Sequence, residues 1–270
     1  MVARAAQLSR FLGESETAIK VEVAKARGST PREAGAWMLV SPDAIFGTIG
    51  GGRLEMMAIE EARTLIAANR GNGTMTVPLG PEIGQCCGGH VALTLTRLDA
   101  ADADALVAER RRQDTALPQV YLFGAGHVGK ALADALSRLP VNTVLIETRQ
   151  AELDAATADV DKRLVAMPET LIETAQPRAA FVVLTHDHAL DFLIVQTALA
   201  RGDAAYVGMI GSKTKRARYV SWHVNEAGGA RADTDRLTCP IGGDAVRDKR
   251  PEVIAALTAA EIVTALAPST

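Results

Sequence analysis

The residues best suited to chemistry in this chain are glycines, thiols and a few basic groups. Gly124, Gly126 and Gly129 stand in G-x-G-x-x-G spacing, where the apolar run VYLF (120–123) meets a helical pattern. Gly124 permits a tight turn, Gly126 lets a pyrophosphate approach the backbone, and Gly129 lets the helix pack on its strand. His127 lies inside that turn, and the helix N-terminus behind it offers N–H groups and partial positive charge to a phosphate. Further on, Glu147 ends a second strand-like run (143–147), about where a ribose-binding carboxylate is expected. Arg149 beside it could accept a 2′-phosphate, so NAD and NADP are not separated by these residues. Cys86 and Cys87 sit between glycines in LGPEIGQCCGGH (79–90). A thiolate there could be a nucleophile or a soft-metal ligand. The plain alternative is a small core hydrophobe, although flanking glycines leave little bulk to bury sulfur. A zinc site is not expected, because no C-x-x-C pair occurs and Cys239 is far along the chain.

Other polar groups fall in loops. Arg27 and Arg32 lie in a loop of turn formers (26–35), plainly a solvated hairpin turn, but suited to pair bidentately with phosphate or carboxylate. Gly50, Gly51 and Gly52 open a helical pattern. Their entropic cost suggests either close approach of a ligand, at Gly51 and Gly52 above all, or an ordinary strand-to-helix turn. Ser212 is the expected N-cap of a helix carrying Lys213, Lys215 and Arg216, cations that would suit an anionic group or form a solvated face. His186 and His188 read as polar loop residues touching a ligand in preference to metal ligands. Cys239, before Pro240, reads equally as structural.

Two patterns of elements must position these groups. In the first half, strands are expected over 17–25, 37–40, 44–49, 74–77 and 91–98, with a helix over 53–69 whose Leu54, Ala58, Ala62, Leu65 and Ile66 face inward. In the second half, strands over 120–123, 143–147, 163–166, 180–184 and 204–207 alternate with helices. Among these, 190–200 places Leu190, Leu193, Ile194 and Thr197 on one face, and 251–266 buries Val253, Leu257, Ile262 and Leu266. Such alternation predicts a parallel sheet. The fold class is therefore α/β: a C-terminal Rossmann-like parallel sheet with helices on both faces, plus a smaller N-terminal α+β domain. The domains are expected at 1–98 and 119–270, joined by a surface helix and linker over 99–118, whose basic run Arg110-Arg111-Arg112 reads as a solvated face.

The 270 residues allow two modest domains with ample core. A net charge of −3 argues against general nucleic-acid binding. No apolar run reaches the roughly 20 residues that span a bilayer, and 1–11 lacks the apolar core of a signal peptide. Three cysteines, two of them adjacent, make no disulfide framework. A reduced, cytoplasmic protein is expected.

RGSTPREAG (27–35), GTIGGGRLE (47–55), LGP (79–81) with QCCGG (85–89), GAGHVG (124–129), YVGMIGSK (206–213) and CPIG (239–242) together resemble the XdhC family. These are accessory proteins that mature xanthine dehydrogenase. The motifs cover nearly the whole chain in the family's order, and several are far more specific than G-x-G-x-x-G. One departure is Glu147-Thr148-Arg149, where such proteins often carry Asp-x-Arg. The resemblance implies binding of the molybdenum cofactor (molybdopterin), its protection while the terminal sulfido ligand is installed, and delivery to apo-xanthine dehydrogenase. A cysteine desulfurase would supply sulfur as second partner, and a homodimer is an open option. Helix N-termini with Lys213 or Arg216 could hold the pterin phosphate, and Cys86 or Cys87 could contact molybdenum. Two other classes stay open: an NAD(P)-dependent oxidoreductase with His186 or His188 as acid–base group, and a thiol or nucleotide sensor using Cys86 and Cys87. The sequence lacks a convincing hydride-transfer constellation, which favours an accessory protein over a catalyst.

Overall fold

The computed structural model describes residues 4–79 and 89–267. The chain forms two compact units, divided between Asp114 and Thr115. No described helix is long and apolar enough to cross a membrane.

In the first unit, helix α1 (Ala5–Glu14) precedes strands β1 (Ile19–Arg27), β2 (Trp37–Val40) and β3 (Ile45–Gly47). Helix α2 (Gly52–Ala67), strands β4 (Asn72–Leu79) and β5 (Gly89–Arg97), and helix α3 (Ala100–Thr115) follow. The strands form one antiparallel sheet in the order β3-β2-β1-β5-β4. Period-two alternation turns Ile19, Val21, Val23, Val91, Leu93 and Leu95 to one face, where Leu54, Ala58, Ala62 and Leu65 of α2 cover them. Pro78, which cannot donate to a ladder, is tolerated because β4 is an edge strand. Helix α3 buries no residue, yet Asp114 in its last turn accepts the Ala5 N–H at 2.7 Å. Most of the stretch expected as surface helix and linker is thus a regular helix grouped with the first unit.

The second unit contains strands β6 (Gln119–Phe123), β7 (Asn142–Glu147), β8 (Asp161–Leu164), β9 (Ala180–Val183), β10 (Tyr206–Met209) and β11 (Leu237–Thr238). They alternate with helices α4 (His127–Leu136), α5 (Gln150–Asp154), α6 (His188–Ala200), α7 (Lys213–Asn225) and α8 (Pro251–Leu266). All strand pairs are parallel, in the order β8-β7-β6-β9-β10-β11. Counted within this unit the order is 3-2-1-4-5-6, that of dinucleotide-binding sheets. Val120, Leu122 and Leu145 face α4 and α8, whereas Tyr121, Phe123 and Ile146 face α6 and α7. Both faces are buried, as a parallel sheet requires.

Several local expectations need correction. The sheet has six strands, since Leu237–Thr238 pairs with β10 where only a loop was expected. The third strand of this unit begins at Asp161 and the fifth at Tyr206, each two residues from its expected start. β8 is an exposed edge strand without an apolar pattern to mark it. Helix α6 buries Asp191, Ile194, Val195, Ala198 and Leu199, while Leu193 is exposed. Helix α8 buries Ala255, Thr258, Ala259 and Ile262 and leaves Val253, Leu257 and Leu266 only partly covered. Small residues form that face where α8 packs beside α4.

Candidate functional site

The switch point of the second sheet lies between β6 and β9, where successive connections run to opposite sides and a crevice opens beyond the strand ends. Each glycine of the first turn answers a different demand. Gly124 has φ of +120°, and a Cβ there would stand 2.5 Å from the Leu184 carbonyl oxygen. A Cβ on Gly129 would stand 1.9 Å from the Gly124 carbonyl oxygen, so helix and strand could not approach as they do. Gly126 differs. Its φ of −68° suits any residue, and nothing lies within 4 Å of where its Cβ would be. The fold needs glycine at two of the three positions and leaves open space before the third. No side chain caps α4, and its first residue, His127, is exposed.

Glu147, at the end of β7, is only 4% exposed. Its Oε2 accepts the Ala125 N–H at 2.8 Å, tying β7 to the glycine turn. Its Oε1 accepts the Thr148 N–H at 2.9 Å and the Arg149 N–H at 3.2 Å. The Arg149 guanidinium forks across both oxygens, each at 3.1 Å. Burial works to raise the carboxyl's pKa, but hydrogen bonds from Arg149, Ala125 and Thr148 outweigh it and hold it at about 2. A cavity of about 10 Å³, room for about one water molecule, lies beside these groups, lined by Gly124, Glu147, Thr148, Thr185, His186 and Leu190 among others. That is far below the about 300–1,000 Å³ of typical ligand pockets. A bound molecule would have to extend onto the open surface before Gly126.

One buried network here was not anticipated. Asp191 is fully buried, and its Oδ1 accepts both the N–H and the hydroxyl of Thr185, at 3.1 and 2.7 Å. Its Oδ2 accepts from Lys215, which also donates to the Ile210 carbonyl at 2.9 Å. The strand ends of β9 and β10 are thereby joined to α6 and α7. An aspartate within the apolar run ALDFLIVQTALA (189–200) is the signal that could have revealed it, since buried charges require partners.

Ser212 caps α7 as expected, accepting the Lys215 N–H at 3.3 Å. The cations around it already have protein partners: Lys213 pairs with Asp244 at 2.8 Å, and Arg216 donates to the Thr234 carbonyl at 3.2 Å. Residues Gly211–Lys213 and Pro240–Ile241 line one open groove of about 660 Å³, so the 239–243 loop reaches the strand ends. Burial pushes the Cys239 thiol up, which suits a structural sulfur. His186 and His188 are exposed. Among the described residues no group of three or more His, Cys, Asp or Glu could hold a metal.

In the first unit Arg27 closes β1 opposite His90 and does not lie in the loop expected over 26–35, whereas the loop with Arg32 packs on the glycine turn, since a Cβ on Gly50 would lie 2.6 Å from that of Pro31. Gly50, Gly51 and Gly52 all have positive φ, a backbone reason for each. The Ile49 and Gly51 N–H groups at the start of α2 donate to Glu55, both at 3.1 Å. An anion of the chain itself therefore occupies this helix N-terminus. Arg27 and Arg32 are exposed. Cys86 and Cys87 lie outside the described residues.

Fold and crevice define a Rossmann-type protein whose first glycine turn leaves open space before Gly126. Residues 120–262 match the XdhC Rossmann domain, and residues 12–78 match the XdhC and CoxI family. The chain belongs to the XdhC family. It is 24% identical over 254 residues to "Uncharacterized protein YqeB" of Escherichia coli (strain K12). That alignment covers 90% of this chain, which spans only 42% of the relative's length. A crystal structure from Bacillus halodurans, described as a xanthine dehydrogenase, is similar with a TM-score of 0.77 and 18% identity. The match covers 97% of this chain and 95% of that one, a likeness of fold.

Gly126→Val tests the open space directly. The variant should fold as wild type by circular dichroism and lose at least about tenfold in affinity for a ligand whose phosphate rests on the turn. Unchanged affinity in calorimetry would make the turn purely architectural.

Proposed function

We propose that this protein is an accessory factor of xanthine dehydrogenase that binds the molybdenum cofactor as cargo, shields it during sulfuration and delivers it to the apo-enzyme. The observation that carries this reading is Gly126: a glycine with no demand from the fold, facing open space at an uncapped helix N-terminus. The terminal phosphate of a pterin cofactor fits there, because backbone N–H groups and the helix dipole favour an anion without any side chain. Family membership supports an accessory role toward xanthine dehydrogenase, and the cofactor as cargo is inferred from that role. A cysteine desulfurase would be the sulfur donor. Cys86 and Cys87 are the proposed molybdenum contacts, as soft donors that hydroxyl groups cannot replace.

The experiment loads wild-type or variant protein with cofactor, adds apo-xanthine dehydrogenase and records xanthine oxidation. Wild type should activate the apo-enzyme. The Cys86→Ser/Cys87→Ser double variant should stay folded and deliver at least about tenfold less, a soft-ligand loss. Equal delivery by the double variant would defeat the thiol contact. Absence of cofactor binding by wild type would defeat the chaperone reading.

A second reading is favoured by the 3-2-1-4-5-6 strand order, which suits a dinucleotide. An NAD(P)-dependent oxidoreductase would use His186, which lines the crevice, as its acid–base group. Turnover of NAD(P)H by the purified protein separates the two.

A further inference from the structure

We infer that the end of β7 selects ligands carrying a phosphoryl group over ligands offering a free ribose diol, with Arg149 as the recognising group. The inference rests on the ligand-binding reading of the crevice given above. A diol is held by an acid at this place when its two hydroxyls donate to the carboxylate oxygens, each with two lone pairs. Glu147 has none to give. Its Oε2 is taken by Ala125 and Arg149, and its Oε1 by Thr148 and by the backbone N–H and Nε of Arg149. Its side chain is 3% exposed, so a ribose would have to displace the arginine and the turn together.

Arg149 is the complementary case. Its side chain is 41% exposed, and only Nε and Nη2 are committed to Glu147. Nη1 stands 4.0 Å from Glu152, whose other oxygen is bonded to Lys130 at 3.0 Å. A guanidinium has five N–H donors, so the fork onto Glu147 fixes its plane and leaves donors for an incoming anion. Such a fixed, planar cation matches phosphoryl oxygens better than a mobile ammonium does. Glu147, Arg149, Glu152 and Lys130 together carry no net charge, so the preference rests on the directed N–H donors of the fixed guanidinium and not on a net positive field. The shared chemistry is a phosphomonoester: a nucleotide 2′-phosphate, which leaves the glycine turn to the pyrophosphate, or the one phosphate of a pterin, which Arg149 would then hold in place of that turn.

The test titrates the full chain in a calorimeter with two pairs of probes: NADP⁺ against NAD⁺, and molybdopterin against its dephosphorylated form. In at least one pair the phosphorylated member should bind roughly tenfold tighter, as charge-assisted contacts to a fixed guanidinium would give. The pair that shows the preference identifies the source. Arg149→Gln should bring that ratio to about one, and Arg149→Lys, which keeps charge but loses the fork, should retain part of it. Glu147 keeps its three backbone donors in both variants, and circular dichroism checks that both fold. Equal binding within both pairs, tighter binding of the unphosphorylated members, or a ratio untouched by Arg149→Gln would overturn the inference while leaving the crevice a ligand site. If folded wild type binds none of the four, the ligand-binding reading fails and this inference falls with it.

Discussion

Lys215→Ala is expected to destabilise the second unit by about 3–5 kcal/mol, the cost of leaving a buried charge without its partner. Asp191 is fully buried, and the Lys215 side chain is only 12% exposed, so water cannot replace the lost ammonium. The Thr185 N–H and hydroxyl would remain on Oδ1, while Oδ2 would lose Lys215. The ends of β9 and β10 would also lose their shared tie, because Lys215 donates to the Ile210 carbonyl as well. The double change Asp191→Leu/Lys215→Met should recover much of the loss, since apolar side chains of similar volume replace buried ion pairs at little cost. Urea unfolding followed by fluorescence in a Trp37→Phe background reads this unit alone, because Trp222, half-buried, packs against its core. A loss below about 1 kcal/mol for Lys215→Ala would mean that the pair behaves as a solvated surface bridge.

Glu147→Gln should remove most of the acid sensitivity that the second unit owes to a single carboxyl group. The folded state holds Glu147 at about 2 against an ordinary value of 4.5. A depressed folded pKa stabilises the native state above the unfolded pKa, and that contribution disappears as pH falls from about 4.5 towards 2. The shift corresponds to about 3 kcal/mol at neutral pH. Wild type should lose that increment between pH 5 and pH 2, and the glutamine variant, destabilised at neutral pH, should not show it. The substituted side chain would also put an NH2, which cannot accept, in place of one carboxylate oxygen, setting it against the N–H groups of Thr148 and Arg149 or against those of Ala125 and Arg149. Denaturant unfolding at a series of pH values decides the matter. Equal acid dependence in both proteins would place the critical carboxyl elsewhere.

The architecture was legible because it rests on periodicities that tertiary contacts only reinforce. Alternating apolar residues over 17–25 and 91–98 could bury one face only as strands, and they pair side by side as β1 and β5. The run VYLF followed by GAGHVG fixed the first strand, turn and helix of the second unit, since glycine alone fits at Gly124 and Gly129. Family motifs along the chain identified the XdhC type for a similar reason: loops of glycine, proline and arginine carry more specific patterns than cores do.

Other features depended on neighbours remote in sequence. Helix α8 is apolar nearly all round, so only its packing beside α4 selected Ala255, Thr258 and Ala259 as the buried face. β8, expected over 163–166, runs Asp161–Leu164, because its residues are solvated at the sheet edge and no apolar period fixes its bounds. The roles of charged residues were decided in the same way. Sequence alone placed Glu147 and Arg149 at a strand end and left ribose and phosphate both open. Only the folded chain brought the Ala125 N–H to that carboxylate from 22 residues away, filling its lone pairs and fixing the arginine. Likewise Lys215 stood among several basic residues as one more surface cation, until folding set it against Asp191, 24 positions earlier. A residue's type and local period are written in the chain. What its charge is spent on depends on which groups the fold brings within hydrogen-bonding distance, because burial makes each unpaired charge too costly to leave.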